Sequence, residues 1–569
     1  MDTCQSSPIL IIGGGPSGLT TALTLAQNGI PTRIIDKAQE FHKASRGSGL
    51  HPRTLEFYRF LGVAADARRF GGPLMPMQLT KLPGGIKPVA KWKLFEDIEL
   101  TPDRPEDMLF LSQYLNEGIF RDHLSKYGIH VELGTEPVAI EQDVTGVTVS
   151  LKHAGVDEVE KARFSYVIGA DGARGSTRRA IGATFEGETK ETDGQVWADV
   201  EAEGVPPGEW NVWADNGKFS ISMRPKSEPE AFHLGIIGQD FDPVDLSTDP
   251  SKFAEFFYEK TGRKDIILKK IGSLSYWKPN MRMVNKLCEG RVFICGDAAH
   301  VHSPTGGQGL NTSVGDSFNL AWKLALVHKG LASPDLLTTY QTERLPVIAQ
   351  MLQLTSNLYM HIVDRQKGGA TRSVSTAATT TTKDATGFMK WRNNSLRQLE
   401  INYRWSPIVF DARGTNGLDE EALKAHAYSG YPGEPVRAGD RAPDAPGLVD
   451  AKGNETSLFE ILKPNTHTLL LFSRKQAGGS LQDIMVVASA SPIANVMQTV
   501  VLGHQSLPDA VAGAGVYHDK EGHAYRAYHV DEGVLSVFIV RPDGYIGAFV
   551  DDVDGLQTYF SRIVGGSSS

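Results

Sequence analysis

The sequence predicts an α/β protein, α+β over its whole length, divided into two or three domains. Three observations carry this. The chain opens on a strand, a glycine turn, a helix and a second strand; a strand-rich middle follows; and a Pro/Gly-rich stretch from Tyr431 to Gly447 precedes a fresh set of buried strands. At 569 residues the chain exceeds what one hydrophobic core sustains. With 40% hydrophobic and 22% charged residues, its composition is that of a globular protein, not of a disordered or fibrous chain.

In the opening run, Ile9-Leu10-Ile11-Ile12 has the unbroken apolar character of a buried parallel strand. Gly13-x-Gly15-x-x-Gly18 follows and opens a helix whose periodicity runs from Leu19 to Gln27. Asn28-Gly29 ends the helix, and Thr32 to Ile35 forms the second strand, before Asp36 and Lys37. The glycines have separate tasks. Gly13 permits a tight turn, Gly15 lets a pyrophosphate approach the backbone, and Gly18 lets the helix sit close on the strand. The helix N-terminus offers N–H groups and a positive dipole end to phosphate. Asp36 stands where ribose hydroxyls need an acceptor. Such a Rossmann-type βαβ unit binds a dinucleotide without selecting which one.

Further along, Val147 to Leu151 alternates at period two, and 191–238 carries similar runs such as Phe219 to Met223. These read as a mixed sheet inserted into the nucleotide-binding domain. The chain then returns to a buried strand at Arg291 to Cys295, a turn, and a long helix from Val314 to His328. Residues 365–384 are low in complexity and read as a loop or linker. Beyond Tyr431, Thr468 to Phe472 and Val534 to Val540 are buried strands, and Arg541-Pro542-Asp543-Gly544 turns the chain into Tyr545 to Val550. The Gly565 to Ser569 tail has the composition of a disordered end.

The bulk chemistry excludes several classes. A net charge of −9 without a long Lys/Arg run argues against nucleic-acid binding. The apolar run Pro8 to Ile12 falls far short of the ~20 residues that cross a bilayer, so no membrane span is expected. Cys4, Cys288 and Cys295 form no CxxC or zinc pattern, and so few thiols point to a reducing, cytoplasmic setting. His300 and His302 lack a third partner and imply no metal.

Two more segments complete a set with the glycine turn. One is Gly169-Ala170-Asp171-Gly172-Ala173-Arg174. The other is Gly296-Asp297-Ala298-Ala299-His300, continuing through Ser303-Pro304-Thr305-Gly306-Gly307-Gln308-Gly309-Leu310-Asn311. On these motifs, in this order and spacing, the chain resembles the flavoprotein aromatic hydroxylases, the single-component class A monooxygenases, in their phenol hydroxylase-like branch. The resemblance implies FAD as cofactor, with Asp171 near the pyrophosphate and Asp297 on the ribityl chain. It also implies that Gly309, Leu310 and Asn311 lie near the flavin's electron-rich end and that Pro304 lines the space over the ring. Gln113, with Glu117 four residues on, matches an element contacting the cofactor's polar chain, and Arg46 opens a loop, through Glu56, that moves with the flavin. Gly175 stands where relatives carry Ser. Ser48 stands where the branch has an aspartate for the substrate's phenol proton, so that role does not transfer.

In its place His51, an imidazole that titrates near neutral pH, is a candidate base. Tyr276, Trp277 and Arg282 lie at the distance where relatives place substrate-side residues, with Tyr276 a candidate proton relay. The C-terminal part, on Ala438 to Asp444 and Val540 to Gly544, resembles the thioredoxin-like domain of phenol hydroxylase relatives, here without cysteine, which leaves a structural or dimer-forming role. The expected domains are FAD-binding over 1–185 and 285–365, a substrate-binding sheet over 186–284, a linker or helical segment over 366–430, and the thioredoxin-like domain over 431–564. The implied reaction has NADPH or NADH reduce FAD. O2 then adds at flavin C4a as a hydroperoxide, and one oxygen atom passes to a phenolic or other electron-rich aromatic substrate. A Baeyer–Villiger-type oxygenase or other flavin oxidoreductase is the competing enzyme reading, and a non-catalytic FAD-binding protein the third. The expected partners are a small aromatic molecule, O2 and a second copy of the chain through the C-terminal domain.

Overall fold

In the computed structural model, residues 7–95, 99–189, 194–206, 208–215, 218–238, 241–303, 306–366, 394–472, 478–531 and 535–565 are described. The 365–384 linker and the 566–569 tail therefore lie almost wholly outside the described residues.

The glycine turn belongs to a six-stranded sheet in the order Cys288–Glu289, Val292–Ile294, Tyr166–Gly169, Ile9–Ile12, Thr32–Asp36, Val131–Leu133. All neighbours are parallel except the first pair. Ile9 to Ile12 are all buried, as a strand covered on both faces requires. Helix Pro16–Gln27 packs against helix Gln308–His328. The second helix starts six residues before the expected Val314. Its first turns hold Gly309 and the polar run Asn311-Thr312-Ser313, weak helix formers that tertiary hydrogen bonds hold in place.

A seven-stranded sheet stands over this domain. Its order is Ile267–Trp277, Gln195–Glu203, Ala231–Gly238, Phe219–Pro225, Trp210–Asp215, Met77–Thr80, Pro88–Trp92. The last two strands come from the segment assigned to the FAD-binding part; Met77–Thr80 pairs in parallel with Trp210–Asp215 and extends the sheet. One face packs Val196, Ala198, Val200, Ile221, Leu234 and Ile236 against Phe253 and Phe257 of helix Pro250–Thr261. The other presents Trp197, Asp199, Arg224 and His233 toward the nucleotide-binding domain. Alternation at period two assigns the two sets to opposite faces.

The C-terminal sheet has eight strands, in the order Phe410–Asp411, Ile546–Val550, Ser536–Val540, His467–Phe472, Met497–Gly503, Ala514–Asp519, Leu448–Asp450, Glu455–Thr456. Three parallel strands followed by an antiparallel hairpin, with helices Gly478–Ala490 and Val553–Val564 packed together, make the thioredoxin-like arrangement. Phe410–Asp411, from the expected linker, joins this sheet at its edge.

The turn at Arg541 to Gly544 drives this domain into the first. Arg541 donates to both oxygens of Glu343, at 2.8 and 3.0 Å, and Glu343 also accepts from Lys323 Nζ (2.7 Å), Asn319 (2.6 Å) and Ser406 Oγ (2.7 Å). Arg53 reaches the carbonyls of Asp543 and Gly544 and the carboxylate of Glu56, which Arg441 also holds. These charged groups are buried, so each is tolerated only through its partners. No described helix is long and apolar enough to cross a membrane.

Candidate functional site

A cleft of about 1710 Å3 runs from the glycine turn to the polar face of the seven-stranded sheet. At the glycine turn the three glycines differ in what surrounds them. Gly13 has φ +114°, and a Cβ there would lie 2.2 Å from the Ala170 carbonyl oxygen. A Cβ on Gly18 would lie 1.9 Å from the Gly13 oxygen, while one on Gly15 would meet nothing within 4 Å. Gly15 therefore faces open cleft. Helix Pro16–Gln27 begins there with no side-chain cap and no acidic residue in its first turn, leaving its donors to an anion. Asp36 is fixed from behind by the N–H groups of Gly14 (2.7 Å) and Ala38 (2.8 Å), and Lys37 lines the cleft beside it.

Asp171 accepts from the N–H and hydroxyl of Thr177, both at 3.0 Å, and so holds the helix Thr177–Ala180; its other oxygen is buried without a protein partner. Asp297 opens into the cleft. Protein still crowds it closely enough that desolvation pushes its carboxyl above the usual range, an effect that His300 and Arg46 oppose. Gln113 accepts from Gly47 N–H at 3.2 Å and donates to Glu117 at 2.8 Å. Arg46 sits on the cleft at φ +37°, a left-handed conformation seldom held by a residue with a side chain. These groups, an anion-ready helix end, acceptors for hydroxyls and a glycine that leaves room for phosphate, fit FAD.

At the start of helix Gln308–His328, Gly309 and Leu310 line the cleft with first-turn N–H groups that no helical carbonyl can reach. Asn311 behaves differently from the expectation. Its amide donates to Gly49 O (2.8 Å) and Gly307 O (2.7 Å), and its oxygen accepts from His51 N–H (2.8 Å) and Thr54 Oγ1 (2.7 Å). The side chain is buried and fully used, so it ties the 46–54 segment to the helix and leaves nothing for a cofactor.

The candidate catalytic residues separate. His51 is a buried residue of the cleft wall, with Nε2 3.1 Å from Gly306 O. The Gln308 amide spends both hydrogens on Gly306 O and Leu396 O, so His51 Nε2 must carry a proton to reach Gly306 O. That nitrogen cannot be the base. Tyr276 lines the cleft, its ring 5.7 Å from the Lys278 ammonium. Arg282 does not reach it: the guanidinium turns to Phe185 O (3.1 Å), Asn280 (3.0 Å) and Thr189 (3.4 Å), joining strands Phe185–Thr189 and Asn280–Val284. Pro304 lies outside the described residues. His300 is paired with buried Asp316 at 2.7 Å, and His302, bonded to Ser303 O, is held neutral by burial, its pKa pushed down to about 4.

The sequence reading missed the sheet floor. His233 Nδ1 lies 2.9 Å from Asp199 Oδ1, and Ser45 N–H donates to Asp199 Oδ2 at 2.8 Å. Arg224 donates to Ser48 Oγ at 2.6 Å and lies over the rings of Phe110 (4.4 Å) and Trp210 (5.7 Å). Trp197 stacks on His233 at 4.9 Å and 12°. Leu94, Met108 and Phe110 form the apolar side. The available signal was strand parity, which puts Asp199 and Arg224 opposite their core-facing neighbours.

A family model described as "FAD binding domain" matches residues 6–355, and one described as "Phenol hydroxylase, C-terminal dimerisation domain" matches 498–568. A flavin-dependent monooxygenase of Mycobacteroides abscessus is 33% identical over 98% of this chain and 100% of its own. Pentachlorophenol 4-monooxygenase of Sphingobium chlorophenolicum is 28% identical over 95% and 93% respectively. Among solved structures, the flavin-dependent monooxygenase PieE, in complex with FAD and substrate, has a TM-score of 0.78 at 24% identity, covering 98% of this chain and 99% of its own. A ternary complex of aklavinone-11 hydroxylase with FAD and aklavinone has a TM-score of 0.75 at 23% identity, with the same coverage.

Proposed function

The chain belongs to the flavoprotein aromatic hydroxylases, of phenol hydroxylase type, and on that premise we propose that it hydroxylates a phenol seated between the flavin and the seven-stranded sheet, with NADPH or NADH as electron donor and O2 as co-substrate. The observation that carries this is the continuity of the cleft. At about 1710 Å3 it exceeds the ~300–1,000 Å3 of a single-ligand pocket, and it joins the glycine turn to a sheet face carrying both aromatic and charged side chains. Two relatives named for pentachlorophenol and 2,4-dichlorophenol support a phenolic substrate.

Bound in this cleft, FAD supplies the redox chemistry, accepting a hydride and activating dioxygen for insertion of one oxygen atom. The chain's own residues supply the rest. The Gly13–Gly18 turn and its helix hold the pyrophosphate, Asp36 and Asp297 accept from hydroxyls, and Gln113 fixes the Arg46–Gly47 backbone. Gly309 and Leu310 would offer free first-turn N–H donors to the negative charge of the reduced cofactor. Leu94, Met108 and Phe110 exclude water, and Trp197 offers a flat face to a planar ring. Tyr276 stands at the wall as a hydrogen-bonding group.

The test is the purified protein with a panel of phenols, scored by nicotinamide oxidation and by product mass under 18O2. The expected result is a yellow flavoprotein whose nicotinamide oxidation a phenol stimulates, with one labelled oxygen atom in the product. Absence of bound flavin, or nicotinamide oxidation indifferent to every phenol, defeats the proposal. We also propose a homodimer through the C-terminal domain, which sedimentation would show as twice the chain mass; a monomer at micromolar concentration would contradict it.

A further inference from the structure

We propose that His233, oriented by Asp199, takes the hydroxyl proton of a phenolic substrate, and that Arg224 holds the resulting phenolate. The inference rests on the hydroxylase reading above and deepens it by naming the proton acceptor, a role that neither the Nε2 of His51 nor Ser48 supplies.

The three side chains come from neighbouring strands. Arg224 and His233 are direct cross-strand partners, and so are His233 and Asp199, so all three lie in one row on the cleft face. Asp199 accepts from His233 Nδ1 at 2.9 Å, which fixes the tautomer with the proton on Nδ1 and leaves the lone pair on Nε2. Among the described residues Nε2 has no protein partner, and the side chain is 13% exposed, at the cleft. The ring is held flat against Trp197.

Arg224 provides for the anion. A guanidinium has five N–H donors. Here it is buried, spends one bond on Ser48 Oγ, and among the described residues has no carboxylate in ion-pair contact. Asp199 acts on it from a distance but is engaged by His233, Ser45 and Lys226, and an anion delivered by the ligand would give this buried cation a direct partner. A row that served packing alone would need neither the cation nor the dyad.

The charged groups facing His233 are Asp199, Arg224 and Lys226, whose ammonium is 3.6 Å from Asp199 and 5.1 Å from the Tyr114 ring. Burial and the two cations hold the imidazole below its usual pKa against the pull of Asp199, so it is neutral and able to accept at neutral pH. In the step, the phenol O–H bond breaks, its proton bonds to Nε2, and the imidazolium is balanced by Asp199 while the oxyanion is balanced by Arg224. A phenolate is the more nucleophilic ring for oxygen insertion. Arenes without an ionisable hydroxyl are therefore poor substrates.

The FAD-loaded full chain would be titrated at pH 6 with 4-nitrophenol and 1-hydroxyanthraquinone, whose ionisation is visible in difference spectra, and with their methyl ethers. Wild type is expected to bind the dyes as phenolates. H233Q should lower the bound phenolate fraction at least tenfold, D199N should move the midpoint of phenolate formation to higher pH, and R224Q should lose the phenolate band. The ethers should bind wild type and H233Q equally, within twofold. If flavin content shows H233Q misfolded, H233N takes its place with the same readout. A neutral dye bound to wild type, or a phenolate band retained in the His233 variant, overturns the assignment alone. Dyes and ethers that all fail to perturb the flavin spectrum overturn the aromatic site itself.

Discussion

At Gly175 the missing side chain matters as much as a present one. A Cβ there would lie 2.1 Å from the Asp171 carboxyl, so the carboxylate occupies the space a side chain would need. G175S should push Asp171 off Thr177 and weaken FAD binding about tenfold, ~1.4 kcal/mol, read by flavin fluorescence titration; unchanged affinity would show that Asp171 is dispensable. His467 makes a second prediction. It is fully buried between Trp322 and Tyr559, neither ring nitrogen has a partner among the described residues, and burial pushes its pKa to about 3. Between about pH 3 and 6.5 the unfolded chain binds a proton that the folded one refuses, so stability falls as pH drops through that window. H467L should flatten this acid limb in thermal melts at successive pH values, and an unchanged slope would exclude His467 as its source. The glycine roles and Asp171 were legible in the sequence because each depends on contacts within a short motif. His233 was not, because Asp199, Arg224 and His233 meet only through strand register.

Helix Thr338–Gln366 carries Pro346 in its interior. Proline has no N–H to donate to Thr342 O one turn back, and Trp405 Nε1 donates to that carbonyl instead, at 2.9 Å. W405F should therefore destabilise the protein by about 1 kcal/mol, the loss of one hydrogen bond at a half-buried carbonyl. In a P346A background the helix supplies its own donor, so the same W405F change should be milder in denaturant titration; equal effects in both backgrounds would deny the substitution of one donor for the other. The hydrogen bonds of its guanidinium, not strand parity, explain where Arg282 lies. In Asn280–Val284, Arg282 pairs with Gly187 and reaches back to Phe185 O, which carries it away from the cleft that Tyr276 lines. Residues 77–92 fall within the range expected for FAD binding yet extend the seven-stranded sheet: two short strands look alike wherever they dock, and only the open edge at Trp210–Asp215 decides.

The arrangement of the whole molecule rests on charged groups shared between its ends. Glu343 is held far below the usual carboxylate range by Arg541 and Lys323 against the opposing effect of its own burial. Its contribution to stability is present above the ordinary glutamate pKa and is lost as pH falls below it. R541M leaves two buried carboxylates, Glu343 and Asp543, without the guanidinium they share and should destabilise by about 3–5 kcal/mol, seen as a lowered unfolding midpoint and earlier proteolysis between the domains. If R541M melted like wild type, the turn would be a passive contact. The division into a nucleotide-binding part and a cysteine-free C-terminal domain was readable from motif order, but the clamp was not, because Glu343 and Arg541 are 198 positions apart and nothing local joins them.

That separation bears on how the chain is made. Residues 319–343 leave the ribosome long before 541–543, so Glu343 and Lys323 wait in water, unable to enter their final environment, while the next 198 residues are synthesised. The flavin-binding half is therefore born unfinished. The buried cluster around Glu343 closes only once the late turn supplies Arg541.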